Sequence, residues 1–381
     1  MHELTEQQRA VVDHEGGPMR VVGGFGTGKT AALVARVGAL VAGGRSVLEL
    51  RGDFVAFAAE LLARHGPRRR VLPNEEQERV VRRLLAAEGA AQWPLLHGEL
   101  RDPSFAREVA RTVQRYQASF LGEEELFVHA EAAGELGQWE ELARFTRRYL
   151  DALHDEGAVD GAGALVGASL VLRSPDVLAG ERSRFDAIVV DDYQNAMFAM
   201  ARLLVQLAGP GGDVTVAGNP DAAIGSSAGC AGKHLDELGR RFGVDPANDV
   251  VLAEPLRRPA PPALRIVDED GSDAVVAAVL RSRPDAEVVT RETVAAAVGR
   301  EWATVVVTGA SDGRWPAPRP RHRWFDHHLL GGPDVPQDDE RDAAWRAEER
   351  RRFAIACSRA TAQTIVVAEP PVTTFVADLL G

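Results

Sequence analysis

Cysteine is nearly missing from this 381-residue chain: only Cys230 and Cys357 occur, and neither belongs to a CxxC pair. That excludes a disulfide scaffold and a cysteine-rich zinc site, and it predicts a reducing, cytoplasmic setting. Lysine is nearly missing too, since among 44 basic residues only Lys29 and Lys233 are not arginine. No long hydrophobic run is present. The longest apolar stretch, Ala31 to Gly44, is broken by Arg36, which argues against a membrane partner. The start, Met1-His2-Glu3-Leu4-Thr5-Glu6, lacks the basic and apolar regions of a signal peptide. Positive charge is in deficit overall. With a formal net charge of -12 the field of the whole molecule opposes nucleic acid, so any DNA contact must be local. What is there, 45% hydrophobic and 26% charged, is the composition of a globular chain with a proper core, long enough for two ordinary domains.

Short β-rich runs alternate with longer helical patterns, which predicts parallel α/β architecture. Candidate buried strands cover 20–22, 46–50, 186–190, 213–217, 250–252, 287–290, 304–308 and 364–368. Between the second and third of these, a block of about 130 residues reads as helix almost throughout. Phe54, Phe57, Ala58, Leu61 and Leu62 make one apolar stripe; Phe105, Val109, Val113, Tyr116 and Phe120 make another, and Trp139, Leu142, Phe145, Tyr149 and Leu153 a third. These stripes read as core, and the block (about 52–182) as a helical insertion within a first domain spanning 1–228. A Gly/Ser-rich break at 225–232 predicts the boundary, with a second domain over 229–381.

Gly23-Gly24-Phe25-Gly26-Thr27-Gly28-Lys29-Thr30 satisfies GxxxxGK[ST] in full, between an apolar run and a helical one. Glycines let backbone N–H groups turn inward around phosphate oxygens at a helix N-terminus. Lys29 is expected to reach the β- and γ-phosphates, and the Thr30 hydroxyl to ligate Mg²⁺. A chance match in this composition is on the order of 10⁻³, mainly because lysine is so rare. The acidic partner such a loop needs stands at the end of the third strand, Asp191-Asp192. Asp191 is expected in the Mg²⁺ shell, and Asp192 as the group that orients or deprotonates the attacking water.

With these residues in place the chain resembles the UvrD/Rep-like superfamily 1 DNA helicases, in particular their actinobacterial RecB-like branch. Leu4-Thr5-Glu6-Gln7-Gln8-Arg9 resembles the adenine-reading Q motif, in which Gln8 pairs with the base. Asp191-Asp192-Tyr193-Gln194-Asn195 resembles the Asp-Glu-Tyr-Gln-Asp motif, Val216 to Asp221 the third motif, and Leu256-Arg257-Arg258 the fourth. Gly299-Arg300-Glu301-Trp302 resembles the end of the fifth, and Glu348 to Ala360 the sixth, with Arg359 at the arginine-finger position. The resemblance implies a P-loop NTPase of two RecA-like parallel-sheet domains with ATP between them. It places Glu301 among the nucleotide-binding residues, and Arg257 and Arg359 over the γ-phosphate.

The sequence departs from the pattern at several points. Asp192 stands for the catalytic Glu, and Ala222 for the Gln that senses the γ-phosphate. The DNA-stacking Trp and phosphate-touching Arg fall at Ser227 and Ala228, and the His and Lys of the fifth motif at Ala295 and Val298. Arg51 to Phe54 lacks the Thr-rich DNA-contacting motif, and about 35 residues stand where a large auxiliary subdomain is usual. The expectation is an ATP-binding helicase-family ATPase, slow and coupled to single-stranded DNA. The rival expectation is a non-motor ATP-dependent switch that binds a nuclease or helicase partner subunit. A Pro/Arg/Trp-rich loop, Arg314 to Trp324, is a candidate DNA contact, and His322, His327, His328 with Asp326 a weak metal candidate that fits no zinc spacing.

Overall fold

Strands form where apolar runs are short, β-branched and bounded by turns, and the computed structural model places one in each of the expected runs. It describes residues 3–224, 233–242, 248–256, 262–268, 271–319, 324–332 and 336–380. The strands are β1 (Met19–Gly23), β2 (Val47–Arg51), β3 (Arg70–Val71), β4 (Ala158–Val159), β5 (Ala187–Asp191), β6 (Val214–Gly218), β7 (Asp249–Leu252), β8 (Ala263–Ile266), β9 (Glu287–Val289), β10 (Trp302–Val307) and β11 (Ala360–Ala368). Two parallel sheets of the RecA-like kind result, ordered β2-β5-β6-β1-β7 and β8-β11-β10-β9. The central strands β5 and β6 are buried at every residue, as continuous apolar runs covered on both faces must be.

The expected boundary after 228 does not match the sheets. β7 lies beyond it, yet pairs in parallel with β1, Val21 opposite Val250. Pairing to β1 satisfies backbone groups that β1 would otherwise leave at a sheet edge, so the first sheet closes at Leu252. A division by sheet therefore falls after Leu252, and the 225–232 break lies outside the described residues.

The helical block divides between two cores. Phe54, Phe57 and Leu61 pack with Leu165, Ala168 and the β5–β6 strands beneath the first sheet. Residues 74–155 build a separate core around Phe105, Trp139, Phe145 and Tyr149. Its helices Pro103–Ser119 and Leu136–Asp155 carry the aromatic stripes read from the sequence. Trp324, Phe325 and Leu329, from the far side of β10, complete this second core.

Among the described residues no single helix is long and apolar enough to cross a membrane. Arg36, which interrupts the longest apolar stretch, is fully buried, and both of its terminal nitrogens are hydrogen-bonded. It donates to the Val11 and His14 carbonyls and pairs with Asp213 at 2.9 Å.

Candidate nucleotide site

The phosphate loop turns off β1 and opens the helix Lys29–Ala42. Gly28 at its end has φ +82 and lies so close to Gln8 that an added Cβ would meet the Gln8 amide nitrogen. Gln8 is buried and fixed from both sides. Its side chain completes a capping box with Thr5, and Nε2 donates to the Gly28 carbonyl at 3.2 Å. The adenine-reading residue of the sequence expectation is thereby tied to the loop itself.

Lys29 folds over that loop, its ammonium donating to the Gly23 and Gly24 carbonyls at 2.7 Å each. Burial lowers its pKa, Asp192 and Asp191 oppose that shift, and Arg359 adds to it. Thr30 donates its hydroxyl to Asp191 Oδ2 at 2.6 Å, joining the start of the helix to the end of β5. Burial raises the Asp191 pKa, the Thr30 hydrogen bond opposes it, and the neighbouring Asp192 charge adds to it. Asp192 itself has φ 54, and its carboxylate accepts from Gln194 Nε2 at 3.0 Å. Gln194 Oε1 in turn accepts from the Asn219 amide at 3.1 Å, linking the carboxylate to the end of β6.

The second sheet reaches this site through its own residues. Arg359 caps the C-terminus of the helix Asp338–Ser358 and lies over the Phe25 ring, 5.7 Å from its centroid. Glu301 is exposed at the head of β10, whose Trp302 amide donates to the Arg359 carbonyl at 3.1 Å. The Leu256 amide donates to the Gly26 carbonyl at 2.9 Å. Arg257 lies outside the described residues, as do Ser227 and Ala228.

These residues fit a magnesium nucleotide. Thr30 and Asp191 present hard oxygen donors suited to Mg²⁺. The Lys29 ammonium is bonded to neutral carbonyls that phosphate oxygens can replace.

Two other candidates from the sequence have their described residues engaged elsewhere in the fold. Trp315 of the Pro/Arg-rich loop is fully buried against Phe353, and Trp324 is buried in the helical core. Arg314 pairs with Glu369, and Arg319 with Asp338 and Asp342. Aromatics that fill cores cannot stack bases, so Trp315 and Trp324 are not available for that role; 320–323 lie outside the described residues. His327 bonds Thr112 and Asp326 pairs with Arg341, and no metal-holding cluster occurs among the described residues.

Sequence reasoning quoted Phe25, Gln194 and Leu256 within motifs but gave none of them a role of its own. The GxxxxGK[ST] pattern leaves position 25 unspecified, and nothing in spacing says which distant residues reach the loop.

Fold and site together define an α/β protein of parallel sheets with a phosphate-loop motif between β1 and the following helix. Residues 56–228 match the family model of the UvrD/REP helicase N-terminal domain. Over 281 residues the chain is 26% identical to the ATP-dependent DNA helicase UvrD2 of Mycobacterium tuberculosis (strain ATCC 25618 / H37Rv), covering 63% of this chain and 39% of that one. It is 24% identical over 280 residues to UvrD1 of the same strain, 63% of this chain and 36% of that one. Against DNA helicase II of Salmonella typhimurium it is 27% identical over 268 residues, 59% of this chain and 34% of that one. Over these spans the chain is similar to UvrD/Rep-like helicases. It spans under two fifths of the length of the relatives it matches.

Proposed function

We propose that the chain binds Mg-ATP at the phosphate loop and hydrolyses it slowly, in a cycle coupled to single-stranded DNA. The observation that carries this reading is the 2.6 Å bond between Thr30 and the buried Asp191 carboxylate, beside Lys29. Bound ATP would supply the phosphoanhydride to be cleaved, and Mg²⁺ would offset its charge. Lys29 would hold the β- and γ-phosphates, with Thr30 and Asp191 on the metal. Asp192 would take the proton of the attacking water, while Arg359 and Arg257 neutralise charge on the transferred phosphoryl group. A positioned base is worth about 10²–10⁴ in rate, and an aspartate engaged by Gln194 is a short one, which supports slow turnover. The DNA arm rests on the names of the relatives, which are DNA helicases.

One observation favours the rival reading, a nucleotide switch for a nuclease or helicase partner subunit. Ala222, at the γ-phosphate-sensing position, is buried in the core of the second sheet, and Arg351 donates to the Ala223 carbonyl at 2.8 Å. That segment packs on the second sheet, and alanine carries no polar group with which to report on nucleotide. ATPase rate with and without single-stranded DNA separates the readings. A DNA-stimulated rate of at least about one per second supports the motor, within the usual range for enzymes. An unstimulated rate far below it supports the switch. Lys29→Ala should abolish binding of a fluorescent ATP analogue under either, and unchanged affinity would refute the nucleotide site.

A further inference from the structure

We infer that Phe25 is a positioning residue that docks the arginine of the second sheet onto the phosphate loop. The inference rests on the nucleotide reading of this site and adds to it a residue that the loop pattern does not specify. Phe25 is half-buried, stands between Gly24 and Gly26, and packs against the core of the second sheet rather than the first. The Arg359 guanidinium lies over its ring face at 5.7 Å. A cation over an aromatic face is held by the ring quadrupole, and guanidinium, being planar and weakly hydrated, suits that place. Arg359 also donates to Ser358 Oγ at 2.9 Å and to the Ile355 carbonyl at 3.3 Å. Phe25 therefore belongs to the loop by sequence and to the opposite sheet by packing.

The physical consequence concerns two cations that must share one site. Lys29 and Arg359 repel each other, and each must stay near the loop if both are to meet a triphosphate. The loop carbonyls of Gly23 and Gly24 hold the first, and the Phe25 face holds the second. An arginine already placed need not be ordered when phosphate arrives, so the ring should act on the rate of the chemical step more than on nucleotide affinity.

Phe25→Leu keeps the apolar volume and removes the π face; Phe25→Tyr keeps both. For Phe25→Leu the expected results are a single-turnover hydrolysis rate about tenfold lower and ATP-analogue affinity within about twofold of wild type, the pattern of an interaction spent on orientation. Phe25→Tyr should restore most of the rate. Phe25→Leu should cost nothing further in an Arg359→Ala background. Equal losses in both backgrounds, or a tyrosine variant as slow as leucine, would overturn the inference. A second arm needs no nucleotide. A double-mutant cycle between Phe25→Leu and Arg359→Ala on urea unfolding should show coupling of about threefold in the unfolding constant. Independent effects there would also overturn it. Should wild type bind no ATP analogue, the nucleotide reading fails by itself, and the unfolding cycle still decides whether Phe25 docks Arg359.

Discussion

Asp192 adopts φ 54, in the left-handed region that aspartate tolerates better than most residues with longer side chains. The short side chain suits this turn and the bond from Gln194, and it shortens the reach to a water. Asp192→Glu should raise single-turnover ATP hydrolysis by about tenfold, within the range for positioned bases. Duplex unwinding should stay undetectable in the same variant, because Ala222 still cannot report on the γ-phosphate. A variant that hydrolyses no faster would show that the base is not what limits the rate. Cys357, by contrast, is buried away from this site, and burial alone pushes its thiol up to about 12.

At the scale of elements, the helices Phe54–His65 and Pro175–Arg182 are tied together by a buried carboxylate. Burial alone would raise the Glu181 pKa, but hydrogen bonds from Arg64, His65 and Arg184 more than offset it and hold the group at about 2. A carboxyl whose folded pKa is depressed stabilises the fold fully above its unfolded value, near 4.5, and loses that contribution as pH falls toward 2. Glu181→Gln should therefore cost about 2 kcal/mol at pH 7, the scale of hydrogen bonds to a charged group. The difference from wild type should shrink steadily below about pH 4.5. Urea unfolding at several pH values checks this, and a pH-independent difference would contradict it.

Across the whole molecule, residues 324–330 strap the second α/β half to the helical core of the first. Both the Trp324 and Phe325 amides donate to Glu108 Oε1 at 3.1 Å, and the Asp326 amide to Glu135 Oε2 at 3.3 Å. The Phe325 ring packs edge-on to Trp139 with centroids 5.5 Å apart. Phe325→Ala should cost about 3–5 kcal/mol, as emptying a buried aromatic site does. Hydrogen exchange should quicken in helix 103–119 and in the strap while β10 and β11 stay protected. Equal loss of protection in the second sheet would show that the strap is not a local clasp. The two halves also meet at the phosphate loop, where Arg359 lies over Phe25. Arg359→Ala should leave ATP-analogue affinity nearly intact and remove any ATP-induced compaction seen by small-angle scattering. Equal compaction in both proteins would exclude a cross-cleft role for this arginine.

Local chemistry explains why so much was legible in the sequence. Lys29 and Thr30 could be read because a phosphate loop is a contiguous stretch whose glycines and cation must be neighbours. Asp191 could be read because a buried strand must be apolar until the residue where it leaves the sheet. The aromatic stripes of 105–120 and 139–153 were readable because helical periodicity puts core residues on one face. What tertiary structure decided were pairings between distant segments, which no spacing encodes. β7 joined the first sheet because β1 offered it an edge, although composition placed a boundary before it. Trp315 and Trp324 went to two different cores, although their neighbours read as a nucleic-acid surface, because burying an indole outweighs displaying it. Phe25 met Arg359 across more than three hundred residues of chain, a contact set by packing of one sheet on the other. The sequence alone determined the loop, the carboxylate at the end of β5 and the periodic helices; the tertiary fold decided which strand, which tryptophan and which arginine each of them would meet.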